Sequence, residues 1–114
     1  MHSVKDVIEY EDFAKLDIRV GTVKNASVVA NSQKLLELTV DFGDFTRTIL
    51  TGMQKWYGPD DFEGKQFLFI VNLAPRKMAG KVSEGMLLSV GLDHEQKPIL
   101  LSPSEETVSG EGIS

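Results

Sequence analysis

Residues 36–42 alternate between apolar and polar side chains, and this alternation constrains the fold more than any other feature of the sequence. The apolar members are spaced two residues apart: Leu36, Leu38, Val40 and Phe42. A period of two is that of a β-strand with one buried and one solvated face. Gly43 and Asp44 then offer a tight turn into residues 45–51, which are rich in Thr and Ile. The pattern predicts a β-hairpin.

Upstream of the hairpin, the apolar pattern changes phase once. Ile18 and Val20 share one parity, whereas Val23 has the other, and the change falls at Gly21. A phase change at a glycine is typical of a bulge or bend. We therefore expect a long first strand that bends at Gly21.

Downstream, the pattern predicts two more strands and very little helix. Residues 66–73 are apolar on both faces and predict a central buried strand. Residues 85–90 predict a further strand, after a loop at residues 75–80. Residues 59–64 combine an early proline, acidic residues and a closing glycine, which predicts one helical turn. Residues 11–15 predict another short helical turn.

Five strands with one short helix before the fourth match the small Greek-key barrel called the OB-fold. We therefore expect an all-β fold, a five-stranded Greek-key barrel with one or two short helical turns. The chain is predicted to form a single domain over residues 1–114, with a barrel core at about 12–90 and a C-terminal extension at 91–114. In this extension, residues 98–101 predict a short strand, and Val108 and Ile113 are candidate anchors.

Composition excludes several classes of protein. The 114 residues include no cysteine, which excludes disulfides, thiolate nucleophiles and cysteine zinc sites. The longest strongly apolar run, residues 67–71, is far shorter than the ~20 residues that a membrane helix needs. The first residues contain no apolar signal core. We therefore expect a cytoplasmic protein that makes no contact with a membrane.

The acidic residues are concentrated at the two ends of the chain. The net charge of −5 argues against a protein that coats nucleic acid without specificity. Residues 1–17 carry −3 and residues 93–114 carry −4, so residues 18–92 carry +2. A local cationic cluster lies in this middle part: Arg76, Lys77 and Lys81. One site for an anionic ligand is therefore compatible with the acidic composition.

Candidate catalytic residues lack the partners that catalysis needs. The two histidines, His2 and His94, lie near the terminus and in an acidic segment, and we expect both to be solvated. Asp60 and Asp61 are residues favoured at the start of a helical turn. Ser83 lacks the preceding glycine of a nucleophile elbow, and no histidine is placed to act as its base. We therefore expect no enzymatic activity, no metal and no cofactor.

The residue types that remain are suited to binding a nucleic acid. Arg76, Lys77 and Lys81 can neutralise phosphate groups, and Asn72 and Ser83 can hydrogen-bond to base edges or ribose hydroxyls. All five lie in one short segment, residues 71–86, which begins at the end of the predicted central strand. The segment is therefore the candidate binding site.

Several neighbours of this segment have a functional and a structural interpretation. Met86 and Trp56 offer apolar surface to a base. Met86 could instead fill the core, and Trp56 and Tyr57 could cover the barrel mouth. Asn72 could instead satisfy backbone groups at a strand end. The sequence leaves these alternatives open.

The motifs together resemble a known family, the tRNA-binding domain appended to the C-terminus of many methionyl-tRNA synthetases and also found as free-standing proteins. The resemblance covers residue 12 to about residue 101 and rests on five motifs: Asp12-Phe13-Ala14-Lys15-Leu16-Asp17-Ile18-Arg19-Val20-Gly21, Lys34-Leu35-Leu36, Thr51-Gly52-Met53, Asn72-Leu73-Ala74-Pro75-Arg76-Lys77-Met78 and Ser83-Glu84-Gly85-Met86. It implies an OB-fold that pairs into a homodimer through its terminal segments. It also implies binding of tRNA by shape rather than sequence, as a cofactor or subunit of a synthetase.

The resemblance also implies which residues contact tRNA. Asn72, Ser83 and Met86 fall on the family's tRNA-contacting positions. We add five cations as candidate phosphate contacts: Lys34, Lys55, Arg76, Lys77 and Lys81. Residues 30–35 depart from the family, which usually writes Pro-Asn-Ala-Asp-Lys-Leu there, and Ala74 stands where many relatives carry lysine. The acidic chain predicts salt-sensitive affinity, in the ~10⁻⁶ M range of weak nucleic-acid binders.

Two alternatives belong to other functional classes. The export chaperones of the CsaA type are dimers of the same fold that bind unfolded polypeptide, and an acidic dimer with apolar grooves could serve that role. A docking module for a synthetase, without its own ligand, is the second alternative.

Overall fold

A computed structural model describes residues 3–91 and 95–114 of the chain. These residues contain one short helix, α1 (Tyr10–Ala14), and a single 3₁₀ turn, Pro59–Asp61. The strands within them are β1 (Ile18–Val28), β2 (Leu36–Asp41), β3 (Thr46–Thr51), β4 (Gln66–Ile70), β5 (Arg76–Met78), β6 (Lys81–Ser83), β7 (Met86–Leu87), β8 (Ser89–Val90) and β9 (Ile99–Leu100).

The main sheet has five antiparallel strands in the order β3-β2-β1-β4-β7. It curls into the nearly closed barrel that the sequence predicts, and the predicted β2–β3 hairpin is confirmed, with Leu38 opposite Ile49. The side chains of β2 alternate between buried and half-buried, which confirms the period of two. The barrel interior is filled by apolar side chains from every strand of this sheet: Val23, Leu36, Leu38, Val40, Ile49, Phe67, Phe69 and Leu87.

Side chains complete the barrel where its two edge strands meet. The Ser83 hydroxyl accepts a hydrogen bond from the backbone N–H of Leu50 (2.9 Å) and donates one to the Gly85 carbonyl (3.0 Å). The carboxylate of Glu84 accepts from the N–H of Thr48 (3.0 Å), and the N–H of Glu84 donates to the Thr48 carbonyl (2.8 Å). Two side chains therefore replace part of the backbone ladder between β3 and residues 83–84, where β6 ends.

β1 is a long strand, as predicted, but it has no bulge at Gly21. The pairing of β1 with β4 runs without interruption through Gly21, and the irregularity in the pairing with β2 lies between Val23 and Asn25. Gly21 is instead required for packing. A Cβ atom there would lie against Val40 and 2.7 Å from Phe42 Cε1, both in the buried core. The glycine thus allows β1 to pass close to the barrel interior.

The predicted loop at residues 75–80 is also wrong, because these residues begin a second hairpin. β5 pairs with β6 across a turn at Ala79 and Gly80, both of which have positive φ (48° and 80°). The sequence shows no alternation here, since both faces of this small hairpin are largely exposed. We call β5 and β6 with their turn the cationic hairpin.

The predicted strand at residues 85–90 is divided into β7 and β8. β7 pairs with β4, whereas β8 leaves the barrel sheet and pairs with β9. The C-terminal segment also pairs with β4, because the N–H of Leu68 donates to the Leu101 carbonyl (3.2 Å). The predicted short strand at residues 98–101 is confirmed as β9.

The last residues pair with the first strand of the barrel. The N–H of Val20 donates to the Glu111 carbonyl (2.9 Å), and the N–H of Ile113 donates to the Ile18 carbonyl (2.8 Å). Gly110 lies directly against the Phe42 carbonyl, with a positive φ of 93°. Backbone pairing therefore fixes the C-terminal extension. The expectation that Val108 anchors it is wrong, since this residue is 73% exposed.

His2 and His94, expected to be solvated, lie outside the described residues. In the described part of the chain, no helix is long and apolar enough to cross a membrane. Within the same part, no three His, Asp or Glu side chains converge as metal ligands would.

Replacing Gly21 with alanine should destabilise the fold by about 1–3 kcal/mol, because the added methyl group overpacks a core that has no room for it. Chemical denaturation monitored by circular dichroism measures the effect. Gly52→Ala is the matched control, since a Cβ at Gly52 meets no atom within 4 Å. Equal stability of the two variants would contradict this account of Gly21.

Replacing Ser83 with alanine should lower the free energy of unfolding by about 1–3 kcal/mol, because the buried Leu50 N–H loses its acceptor. The exposed Ser104 offers a control: Ser104→Ala should stay within about 0.5 kcal/mol of the parent protein. A loss for Ser83→Ala no larger than that of the control would show that the hydroxyl does not complete the barrel.

Candidate nucleic-acid interface

The cationic hairpin presents the Arg76 guanidinium and the Lys77 ammonium group to solvent. Arg76 and Lys77 are exposed on β5, and neither makes an ion pair with a carboxylate of the described residues. Lys81 differs, because its Nζ lies 2.8 Å from Glu37 Oε1 on β2. The hairpin therefore carries two free cations and a third that is partly neutralised and ties it to the barrel.

The end of the hairpin and the residues after it contain two further predicted site residues, with opposite surroundings. Ser83 is 1% exposed, and its hydroxyl is fully engaged by Leu50 and Gly85. Met86 is 44% exposed, so the alternative that it fills the core is wrong. Ser83 therefore fixes the position of this segment, whereas Met86 is accessible to a ligand.

Asn72 links the end of β4 to the segment after α1. Its Oδ1 accepts from the N–H of Asp17 (2.9 Å), and its Nδ2 donates to the Lys15 carbonyl (2.7 Å). The structural interpretation of Asn72 is thus confirmed. Since the amide is also exposed, one lone pair and one N–H remain available to a ligand.

Asp17, which follows α1, is itself held by an arginine. The Arg19 guanidinium donates twice to the Asp17 carboxylate, at 2.9 and 3.0 Å. These hydrogen bonds hold the pKa of Asp17 below its ordinary value, despite an opposing effect of desolvation. Arg19 is therefore neutralised locally and is not a free cation for a ligand.

A groove of about 950 Å³ contains the other predicted cations. Lys34, from the loop between β1 and β2, and Lys55, after β3, both line it. Its apolar surface comes from three separate parts of the chain: Met53 and Trp56, Met86 and Leu87, and Pro98. We call this the Trp56 groove. Trp56 is half-buried, with Lys55 Nζ 5.3 Å from its ring centroid.

Tyr57, for which covering the barrel mouth with Trp56 was one open alternative, has a structural role. Its hydroxyl donates to the Pro98 carbonyl (2.6 Å), and its ring packs edge-on to Phe62. The tyrosine thus connects the segment after β3 to the C-terminal extension and positions one wall of the Trp56 groove.

The eight predicted site residues fall into three sets. Lys34, Lys55 and Met86 come together at the Trp56 groove, and the cationic hairpin carries the second set: Arg76, Lys77 and Lys81. Asn72 and Ser83 make internal hydrogen bonds that hold the chain at either end of the hairpin. The short stretch from Ser83 to Met86 joins the groove to the hairpin.

Sequence reasoning missed Arg47, which braces this stretch. Its Nη1 donates to the carbonyls of Val71 (3.2 Å) and Glu84 (3.1 Å), and its guanidinium lies 4.9 Å from the Phe45 ring centroid. A signal was present, because Arg47 shares the parity of the buried Ile49 on β3. A cation at an inward position of a strand indicates a structural role.

Comparisons with known proteins agree with this geometry. The family model described as "Putative tRNA binding domain" matches residues 18–112. The methionine–tRNA ligase of Methanococcoides burtonii is 45% identical over 107 residues, which are 93% of this chain and 16% of the ligase. The chain thus spans about one sixth of the length of that relative.

Two solved structures share the whole fold. A MetRS-related protein from Pyrococcus horikoshii superposes with a TM-score of 0.89 and 36% identity, over 96% of this chain and 100% of that one. The chaperone CsaA of Bacillus anthracis gives 0.85 and 31%, with the same coverage. The barrel, the matched residues and these relatives lead to one conclusion: the chain belongs to the tRNA-binding domain family, whose fold is an OB-like barrel.

Proposed function

We propose that this chain is a non-catalytic, cytoplasmic tRNA-binding protein that acts as a homodimer, as a trans-acting cofactor or subunit of a methionyl-tRNA synthetase. The observation that carries the proposal is the pair of free cations on the cationic hairpin. Arg76 and Lys77 are exposed and unpaired within the described residues of a chain whose net charge is −5. Folding thus leaves positive charge where an RNA backbone can reach it.

Contacts at the Trp56 groove extend this surface. Lys34 and Lys55 supply two further cations, and Met86 supplies exposed apolar area beside them. Phosphate contacts of this kind recognise the shape of a folded RNA, because base edges inside an A-form helix are hard to reach. The proposal therefore assigns tRNA binding to shape and charge, without a readout of paired bases.

Asn72 and Ser83 have different proposed roles. Asn72 is exposed and keeps part of its hydrogen-bonding capacity, so it contacts the RNA directly. Ser83 acts by holding Met86 and the hairpin in place, because its hydroxyl is buried and engaged.

The homodimer is supported by apolar surface at both ends of the chain. Val4 and Val7, before α1, are almost fully exposed, and Val90 and Ile99 form an exposed cross-strand pair on β8 and β9. Exposed apolar clusters of this kind mark association surfaces. Two weak tRNA sites on one dimer would gain by effective concentration, without any new contact.

Charge reversal on the hairpin tests the tRNA site. Arg76→Glu and Lys77→Glu should each weaken binding of all folded tRNAs alike. Each should also reduce the slope of log affinity against log salt by about 1, because one phosphate contact is lost. Filter binding or fluorescence anisotropy across a salt series measures both effects.

The matched control is Lys65→Glu, which changes the charge equally at an exposed site outside the hairpin and the Trp56 groove. The proposal fails if the control weakens binding as much as the hairpin variants do. It also fails if the parent protein binds unfolded polypeptide but no tRNA, the behaviour expected of a chaperone.

The dimer is tested by sedimentation equilibrium. The parent protein should sediment with twice the chain mass of 12.6 kDa. Val90→Lys with Ile99→Lys should give a folded monomer that binds tRNA more weakly, because charges at an apolar contact cost desolvation free energy. A parent protein that is monomeric at the concentration where it binds tRNA would contradict the dimer while leaving the tRNA site intact.

A further inference from the structure

We infer that the Trp56 groove is a site for one unpaired nucleotide, with the base against Trp56 and Met86 and the adjoining phosphates on Lys34 and Lys55. This inference rests on the proposed function and narrows it, since it adds recognition of a single-stranded element to the recognition of tRNA shape.

The walls of the groove are held together before any ligand arrives. Gln54 directly precedes Lys55 in the sequence, and its N–H donates to the Lys34 carbonyl (3.0 Å). Its side-chain Nε2 donates to the carbonyls of Leu35 (2.8 Å) and Ser32 (3.3 Å). These three bonds join the loop before β2 to the segment after β3. Lys34 and Lys55 are therefore carried by segments whose backbones are fixed relative to each other.

The charge of the described residues that line the groove favours an anionic ligand. None of the described residues that line it is acidic, although the whole chain has 17 acidic and 12 basic residues. Neither Lys34 nor Lys55 makes an ion pair with a described carboxylate, whereas Lys15, Lys24 and Lys81 each do. The groove thus combines unpaired positive charge with an apolar surface.

A nucleotide is the ligand class that matches both properties. Aromatic and thioether side chains offer surface on which any base can stack, and the two lysines lie beside it to receive phosphate. The base must be unpaired, because a paired base hides its faces in the helix stack. The volume of about 950 Å³ falls within the roughly 300–1,000 Å³ of small-ligand sites. A groove of this size is too small for the body of a folded RNA. An apolar stretch of unfolded polypeptide would use the apolar floor but leave the two ammonium groups without counter-charge.

Trp56 reports directly on the site because it is the only tryptophan in the chain. Titration with a short single-stranded RNA should quench its fluorescence to saturation. A blunt-ended RNA duplex of the same length should leave it unchanged at the same concentrations. Quenching by the duplex, or by an unfolded polypeptide and not by the single strand, overturns the inference.

Variants separate the base contact from the phosphate contacts. Trp56→Leu should weaken binding of a labelled single strand roughly 5- to 100-fold, whereas Trp56→Phe should retain most of the affinity because the stacking surface remains. Lys34→Gln and Lys55→Gln should each reduce the salt slope by about 0.7, the value for a single-stranded phosphate contact, and Lys65→Gln should not. Circular dichroism and thermal denaturation establish that each variant is folded. Equal loss in Trp56→Phe and Trp56→Leu contradicts the stacking contact.

Whole tRNA distinguishes the source of the nucleotide and separates this inference from the proposed function. Two altered tRNAs are compared with the intact tRNA. In one, the unpaired 3′ end is removed, and in the other, that end is paired to a complementary strand. Loss of Trp56 quenching with both assigns the 3′ end, and quenching that persists with both assigns an unpaired loop nucleotide. If tRNA binds with hairpin-dependent affinity but never quenches Trp56, and Trp56→Leu binds it as the parent does, the inference is wrong and the proposed function stands. If no tRNA binds at all, both are wrong.

Discussion

The hydrogen bond from the Leu50 N–H to the Ser83 hydroxyl ties β3, one edge of the barrel sheet, to the end of the cationic hairpin, and the shape of the proposed binding surface depends on it. A sheet edge normally finds its partner through backbone groups, but here Ser83 and Glu84 supply side-chain acceptors to β3. The chain turns at this point, with Gly85 close to the Ile70 carbonyl, and Met86 follows at once. The same short stretch thus ends the cationic hairpin and begins one wall of the Trp56 groove. Arg47 braces it from the inside of β3 by holding the Glu84 carbonyl.

Selective pairing of cations explains how an acidic chain presents a positive surface. Lys15, Lys24 and Arg19 each lie beside an aspartate, and Lys81 lies beside Glu37. At the proposed interface, four cations make no ion pair with a described carboxylate, and the proposal uses all of them: Lys34, Lys55, Arg76 and Lys77. Because exposed ion pairs contribute little stability, their main effect here is on where free positive charge remains. The net charge of a sequence therefore says less about its ligand than the pairing that folding imposes.

The sequence predicted the fold well where one face of a strand is buried. The alternation at residues 36–42 determines the β2–β3 hairpin by itself, because a shift of one residue would expose every apolar side chain. The position of the bulge and the pairing of the exposed hairpin could not be predicted, because contacts between distant parts of the chain determine both. The bulge lies at residues 23–25 and not at Gly21, and residues 75–80 form a hairpin whose exposed faces leave no pattern. Residue types identified the cations of the candidate site, but not the burial of Ser83 or the pairing of Lys81 with Glu37, since both depend on strands far apart in the sequence.

The pairing of β1 with the last residues of the chain has a consequence for how the protein folds. Arg19 forms a bridge with Gly112, 93 residues later, so one flank of the first strand is completed only by the final residues. Closing a loop of that length costs conformational entropy before any contact repays it, and topologies rich in such distant pairs fold slowly. During synthesis, β1 would leave the ribosome long before its partner and would present unpaired backbone groups to other chains. Folding of this barrel is therefore expected to reach completion only after residues 111–113 have been synthesised and can pair with β1.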